Sequence, residues 1–176
     1  MTLTSRKLLH RLGVLALTGA LWVIPVNAQS MGDDDAFGEH GLGGTWSVKV
    51  QLTNCLTGAT IGNAFSSYLA FAGNGTMTED TSNPGFAIGQ RGIGLGIWSR
   101  SSWNTFQAKS VAFIFYTTAP APPVSPGFTA GTQTISQTTT LVNPDKWTAD
   151  AKIQFADSTG TVYRNGCAVA TGTRLQ

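Results

Sequence analysis

The side chains able to do chemistry are few, and their types exclude more than they suggest. Histidine occurs at His10 and His40 only, so the stretch from Gly44 to the C-terminus has none. A Ser-His-Asp triad and a His-ligated zinc site both need an imidazole there. The carboxylates of that stretch are Glu79, Asp80, Asp145, Asp150 and Asp157. Adjacent Glu79 and Asp80 point to opposite faces of a strand and cannot act as one pair. Asp145 and Asp157 sit in turn-like sequence, and Asp150 falls on the polar side of an alternating run. A glycosidase needs two carboxyls about 5–10 Å apart. Glu79 with Asp150 is the pairing left open, and surface placement is the expectation for all of them. No phosphate-binding or dinucleotide-binding glycine motif is present. Asp33, Asp34, Asp35, Glu39 and His40 are metal-type ligands, but in a Gly-rich stretch with nothing rigid to cage an ion. No metal or cofactor is expected.

Aromatic residues are the positive feature. Trp46, Trp98, Trp103 and Trp147 lie downstream of residue 43, with Tyr68, Tyr116 and Tyr163. Rings of this kind line pockets for apolar ligands and equally fill cores. Trp98, Trp103, Tyr68 and Tyr116 are the candidate ligand contacts. Trp98 shares a face with Gly94, Gly96 and Arg100, opposite Ile93, Leu95 and Ile97. If the aliphatic face is inside, Trp98 lies outside or in an interface. Trp103, in "RSSWN", is a candidate rim contact.

These residues must be positioned by the elements around them. Residues 1–28 carry Arg6, Lys7 and Arg11, then an uncharged apolar run to Val26, with Val26 and Ala28 placed for cleavage. That is the pattern of a Sec-type signal peptide. The competing reading, a membrane anchor, needs ~20 apolar residues, and Pro25 and Asn27 end the run earlier. Export to the periplasm or the exterior is expected, with no stable anchor after cleavage. The chain has eleven Lys or Arg and nine Asp or Glu. Without the three leader cations the balance is eight against nine, or −1. No basic cluster remains, so nucleic acid is not an expected partner. Residues 29–43 are Gly-rich, acidic and aperiodic, and read as a flexible tail.

From Gly44 to Gln176 the pattern is that of strands. "TWSVKVQL" (45–52) alternates with period 2, as does "WTADAKIQF" (147–155), the mark of half-buried strands. Between and around them, 64–71, 76–80, 93–99, 106–116, 132–142 and 161–175 read as six more. Turn signals separate them: "AGNGT" (72–76), "NPDK" (143–146) and "DSTG" (157–160). Gly92, Gly94 and Gly96 on one strand face suggest sharp coiling or a close backbone approach. A Pro-rich loop occupies 117–127. No segment shows helical periodicity with caps. Eight strands in series predict an all-β, eight-stranded antiparallel up-and-down barrel, which leaves no edge exposed. A two-sheet sandwich is the alternative. Cys55 and Cys167 are the two cysteines. In an exported chain they are expected to pair, across the seam where the first and last strands of a barrel meet; two unpaired buried thiols are the alternative.

Gly44 and Trp46, a Gly-x-Trp opening the first strand, and Arg174 near the end of the last resemble the calycin superfamily of lipocalin-like and avidin-like barrels. The resemblance implies that the Arg174 guanidinium packs across the Trp46 indole and plugs the barrel base. The Thr-Asp-Tyr type turn of lipocalins is not visible, the usual C-terminal helix is missing, and the avidin pattern of ligand contacts is not found. Dirigent and allene-oxide-cyclase-like barrels share the eight-strand plan. The expected function is therefore binding of a small apolar ligand without catalysis. The alternatives are a barrel steering a reactive intermediate and a filled structural or interaction module.

Overall fold

The computed structural model describes residues 41–115 and 128–176. The leader, the tail up to His40, Tyr116 and the Pro-rich loop lie outside the described residues. Eight strands follow in order: β1 (Gly44–Thr53), β2 (Thr60–Phe71), β3 (Thr76–Thr81), β4 (Gly94–Arg100), β5 (Thr105–Ile114), β6 (Gly131–Asn143), β7 (Lys146–Asp157) and β8 (Val162–Arg174). They pair antiparallel in sequence order and close into one barrel. The seam joins β1 to β8 from Trp46 opposite Arg174 to Thr53 opposite Cys167. The sandwich alternative is thus excluded.

The alternation read from the sequence is the alternation observed. In β7, Trp147, Ala149, Ala151, Ile153 and Phe155 point inward and are buried, while Thr148, Asp150, Lys152 and Gln154 are exposed. β2 begins four residues before the expected Ala64. Gln51 helps to hold that extension, because its side-chain amide donates to Ile61 and Gly62 carbonyls.

On β4 the aliphatic face proves to be the outer one. Gly94 and Trp98 are buried, and Ile93, Leu95 and Ile97 face outward. The reason is space. A Cβ on Gly94 would collide with the Glu79 carboxylate, and one on Gly96 with the Lys109 carbonyl of the adjoining strand. The glycines admit a charged side chain to the interior and let two backbones close up.

The interior has two apolar layers. One, at the end carrying the β2–β3, β4–β5 and β6–β7 turns, contains Leu42, Trp46, Leu69, Phe71, Trp98, Phe106 and Trp147. Trp46 and Trp147 meet edge to face, with centroids 6.1 Å apart. The other contains Ile114, Phe128, Ile153 and Phe155. Between them lie buried polar residues, among them Ser67, Glu79, Ser110, Gln133 and Gln137.

The first end is shut. Arg174 lies over Trp46, its Cζ 4.2 Å from the ring centroid. Its guanidinium donates to the carbonyls of Gly41, Gly43 and Pro144 at 2.9, 2.5 and 2.9 Å. Gly44 has φ 122°, and a Cβ there would stand 2.6 Å from Arg174 Nη1. The Gly-x-Trp spacing thus makes room for the arginine. Residues 41–43, expected in the tail, belong to this plug: Leu42 is fully buried, and its carbonyl accepts from the Trp46 indole N–H at 2.9 Å. Cys55 and Cys167 are disulfide-bonded, with Cα atoms 5.2 Å apart.

Candidate functional site

At the opposite end the described residues leave a hollow. That end is built by the β1–β2 and β3–β4 loops, the start of β8 and the segment entering β6, around a cavity of about 520 Å³. Leu52, Ile61, Phe65, Phe128, Ile153 and Phe155 supply its apolar wall. Each is placed by simple rules. Ile153 and Phe155 continue the inward row of β7 to its end. Phe128 is stacked with Phe86, centroids 4.3 Å apart, and lies 4.9 Å from Phe155. Its segment is tied down by Tyr163, whose hydroxyl accepts from Thr129 N–H at 3.0 Å and donates to Thr129 O at 3.2 Å.

Polar groups ring this wall. Asn54, Asn63, Asn83, Arg164 and Asn165 reach the cavity. The Arg164 Cζ lies 4.8 Å from the Phe128 centroid and 5.4 Å from that of Phe155, cation-over-ring contacts that orient the guanidinium across the mouth. Burial lowers its pKa from the ordinary arginine value, with Tyr163 acting the other way. The group remains a cation at neutral pH.

Phe65, Asn83, Gln133 and Ile153 border both the mouth and a smaller cavity of about 50 Å³ beneath it. This second cavity reaches the polar waist. Glu79 Oε2 accepts from Arg91 Nη2 at 2.6 Å in a pair that is almost wholly buried. Arg91 Nε donates to Gln133 Oε1, and Nη1 donates to the Gly92 carbonyl at 3.0 Å. Ser110 Oγ stands 3.4 Å from Glu79 Oε2. Thr81 also borders this cavity, and its buried Oγ1 has no hydrogen-bond partner among the described residues.

The structure separates the residues that the sequence grouped. Trp98 is buried at the shut end, its indole N–H donating to Ala72 O at 2.9 Å and its ring against Phe71 and Phe106. Trp103 is exposed in the β4–β5 turn at that same end. Tyr68 faces outward from β2. None of the three lines the mouth, and Tyr116 lies outside the described residues. Surface placement fits Asp145, Asp150 and Asp157 and fails for Glu79. Asp150 points outward and Glu79 inward, so a wall of the barrel separates these two carboxylates.

The residues that do form the mouth were partly readable. Phe155 ends the clean alternation opened by Trp147, so the two rings must sit at opposite ends of the interior. Phe128 carried no such signal, because a loop residue has no period, and Arg164 lies at the start of β8 beside a register shift that interrupts the alternation. No group of three or more potential metal ligands occurs among the described residues. Comparison with known proteins finds no matching family model and no matching curated protein.

Proposed function

We propose that this is an exported, calycin-like carrier that holds a small apolar ligand, without catalysis, in the mouth of its barrel. The carrying observation is the cavity of about 520 Å³ that the described residues form above a shut base, within the ~300–1,000 Å³ of small-molecule pockets. The disulfide supports an oxidising compartment. The ligand rests against Phe128, Phe155 and Ile153, and its more polar end meets the asparagines and Arg164 at the rim.

A second reading draws on Glu79. A buried carboxylate inside the barrel is what a barrel steering a reactive intermediate would need. It is the weaker reading. The cavity at Glu79, about 50 Å³, has room for a few waters, and Arg91 already holds the carboxylate.

Gly166 provides the test. It borders the mouth, and a Cβ there meets only Ile153 Cβ, at 3.8 Å. Gly166→Phe therefore fills the cavity from a tolerant position. The wild type should bind the apolar dye 1-anilinonaphthalene-8-sulfonate at one site by fluorescence titration, and Gly166→Phe should weaken binding at least ~10-fold with the far-ultraviolet spectrum unchanged. Equal binding by the two proteins, or none by the wild type, would remove the mouth as a ligand site. Native mass spectrometry of the cell-derived protein should show a co-purified small molecule that Gly166→Phe lacks.

A further inference from the structure

The inverted strand β4 leaves its aliphatic side outside the barrel. Ile93 is 60% exposed, Leu95 64% and Ile97 66%; from β5 and just beyond it, Val111 is 41%, Phe113 65% and Phe115 61% exposed. They form one surface. Leu95 pairs with Val111 and Ile97 with Lys109, the Gly92 N–H donates to Phe113 O at 2.9 Å, and the Phe113 and Phe115 rings are 6.2 Å apart. Taking ~200 Å² per large side chain, the patch offers on the order of 700 Å². That exceeds the ~300–600 Å² of the largest patch on a typical monomer and approaches the ~800 Å² per partner of a stable interface.

The surroundings select the kind of partner. A barrel that crosses a bilayer is apolar all the way round. Here β7 presents Thr148, Asp150, Lys152 and Gln154, and β1 presents Lys49. A barrel lying on an anionic membrane would rim its apolar face with several Lys or Arg. This rim is mainly threonine and serine: Thr76, Thr78, Thr132, Thr134 and Ser136.

Two charges stand at opposite corners. Lys109 lies beside Ile97 on β5. Asp80 lies on β3, one position beyond the Glu79–Gly94 pair and so level with Ile93. Both are exposed. The midpoint of the line joining these corners falls at Leu95, and a twofold axis lying between two stacked faces, over Leu95 and perpendicular to that line, sets each Asp80 over the Lys109 of a second copy. The patch is thus complementary to itself, as a twofold interface requires.

We propose that the protein is a homodimer in which the outer β4–β5 faces of two barrels pack together, with Asp80 and Lys109 paired reciprocally across the twofold axis. The interaction is separate from the mouth, because none of the patch residues lines the cavity there.

Sedimentation velocity on the protein as the cell processes it tests this. The wild type should sediment as a dimer at about 10 µM, within the affinity range of interfaces this size. Leu95→Asp/Phe113→Asp, both outward-facing, should raise the dissociation constant at least ~100-fold with the circular dichroism spectrum and the disulfide intact. Asp80→Lys and Lys109→Asp should each weaken dimerisation, and the double exchange Asp80→Lys/Lys109→Asp should restore it, which a mere loss of folding could not do. A wild-type monomer at ~100 µM, ten times the expected working concentration, would overturn the proposal. So would a trimer, or a dimer that survives Leu95→Asp/Phe113→Asp. Failure of the charge exchange to restore association would overturn the twofold arrangement. Co-sedimentation of the wild type with phosphatidylcholine–phosphatidylglycerol vesicles, lost in the Leu95→Asp/Phe113→Asp protein, would assign the patch to a lipid surface instead.

Discussion

Glu79 shows how one side chain constrains its neighbours. A carboxylate inside a barrel is tolerated when it is paired and hydrogen-bonded. Arg91 supplies the charge, Ser110 stands at the edge of hydrogen-bond reach, and Gly94 leaves the room. Removing one member strands the other. Glu79→Gln is expected to destabilise the protein by about 3–5 kcal/mol, the usual loss when one half of a buried pair goes. Glu79→Gln/Arg91→Met should be less damaging than the single change, because no uncompensated charge remains. Urea denaturation of the four proteins in the cycle measures this, and a double mutant at least as unstable as Glu79→Gln would contradict it. Little of this arrangement was legible. Charge and adjacency placed Glu79 at the surface, and its partner lies twelve residues away in sequence that reads as loop. The three alternate glycines marked an abnormal backbone approach, but not the carboxylate it admits.

The strands were the most readable part of the chain. Period 2 in β1 and β7, and Asx-type turns between strands, are local properties that survive without knowledge of the fold. That the sequence left the inner face of β4 undecided has a physical cause. Alternation says that two faces differ, and hydrophobicity is then used to choose the inner one. On β4 that choice is inverted, because the inner face must be small near Glu79 and the outer face is itself apolar. Tyr68 illustrates the opposite case: Leu69 and Phe71 on β2 already required it to face outward. The turn joining β7 to β8 permits a direct test. Asp157 Oδ1 accepts from Thr159 Oγ1 at 2.7 Å and from the N–H groups of Thr159 and Thr161 at 2.9 and 3.0 Å. The Thr159 side chain is the leading cause that lowers the Asp157 pKa below its usual 3.8. A depressed carboxyl stabilises the fold above the unfolded-state value, and the contribution fades as pH falls through the folded one. Asp157→Ala should therefore melt below the wild type at pH 7, and the gap should close on acidification below about pH 4. A gap that is constant down to pH 2 would show that the carboxylate charge is not what the turn uses.

The described residues form a wall of eight strands with one staple. Its closure depends on β1 finding β8, the two elements farthest apart in the chain, so the seam carries the largest loop-closure cost. The disulfide joins residues 112 apart at that seam. In the chain-entropy model a bond of that span contributes roughly 4–5 kcal/mol. Cys55→Ala/Cys167→Ala should lose stability of that order in guanidinium titration, and reduction of the wild type should produce a similar loss. A midpoint unmoved by either would mean that the Arg174–Trp46 plug closes the seam unaided. The staple sits toward the mouth and the plug at the base, so the seam is fastened at both ends.

The plug also fixes where the chain enters and leaves the barrel. Gly41 and Gly43 bind the side chain of Arg174, and the Leu175 N–H donates to Thr45 O at 2.9 Å. Entry and exit thus lie side by side at one pole, with the opening at the other. A tether joined at either end would hold the barrel with its aperture facing away from the attachment. A short linker across the pole would make the polypeptide circular, leaving the aperture untouched and offering the exposed β7–β8 turn as a place to cut new ends.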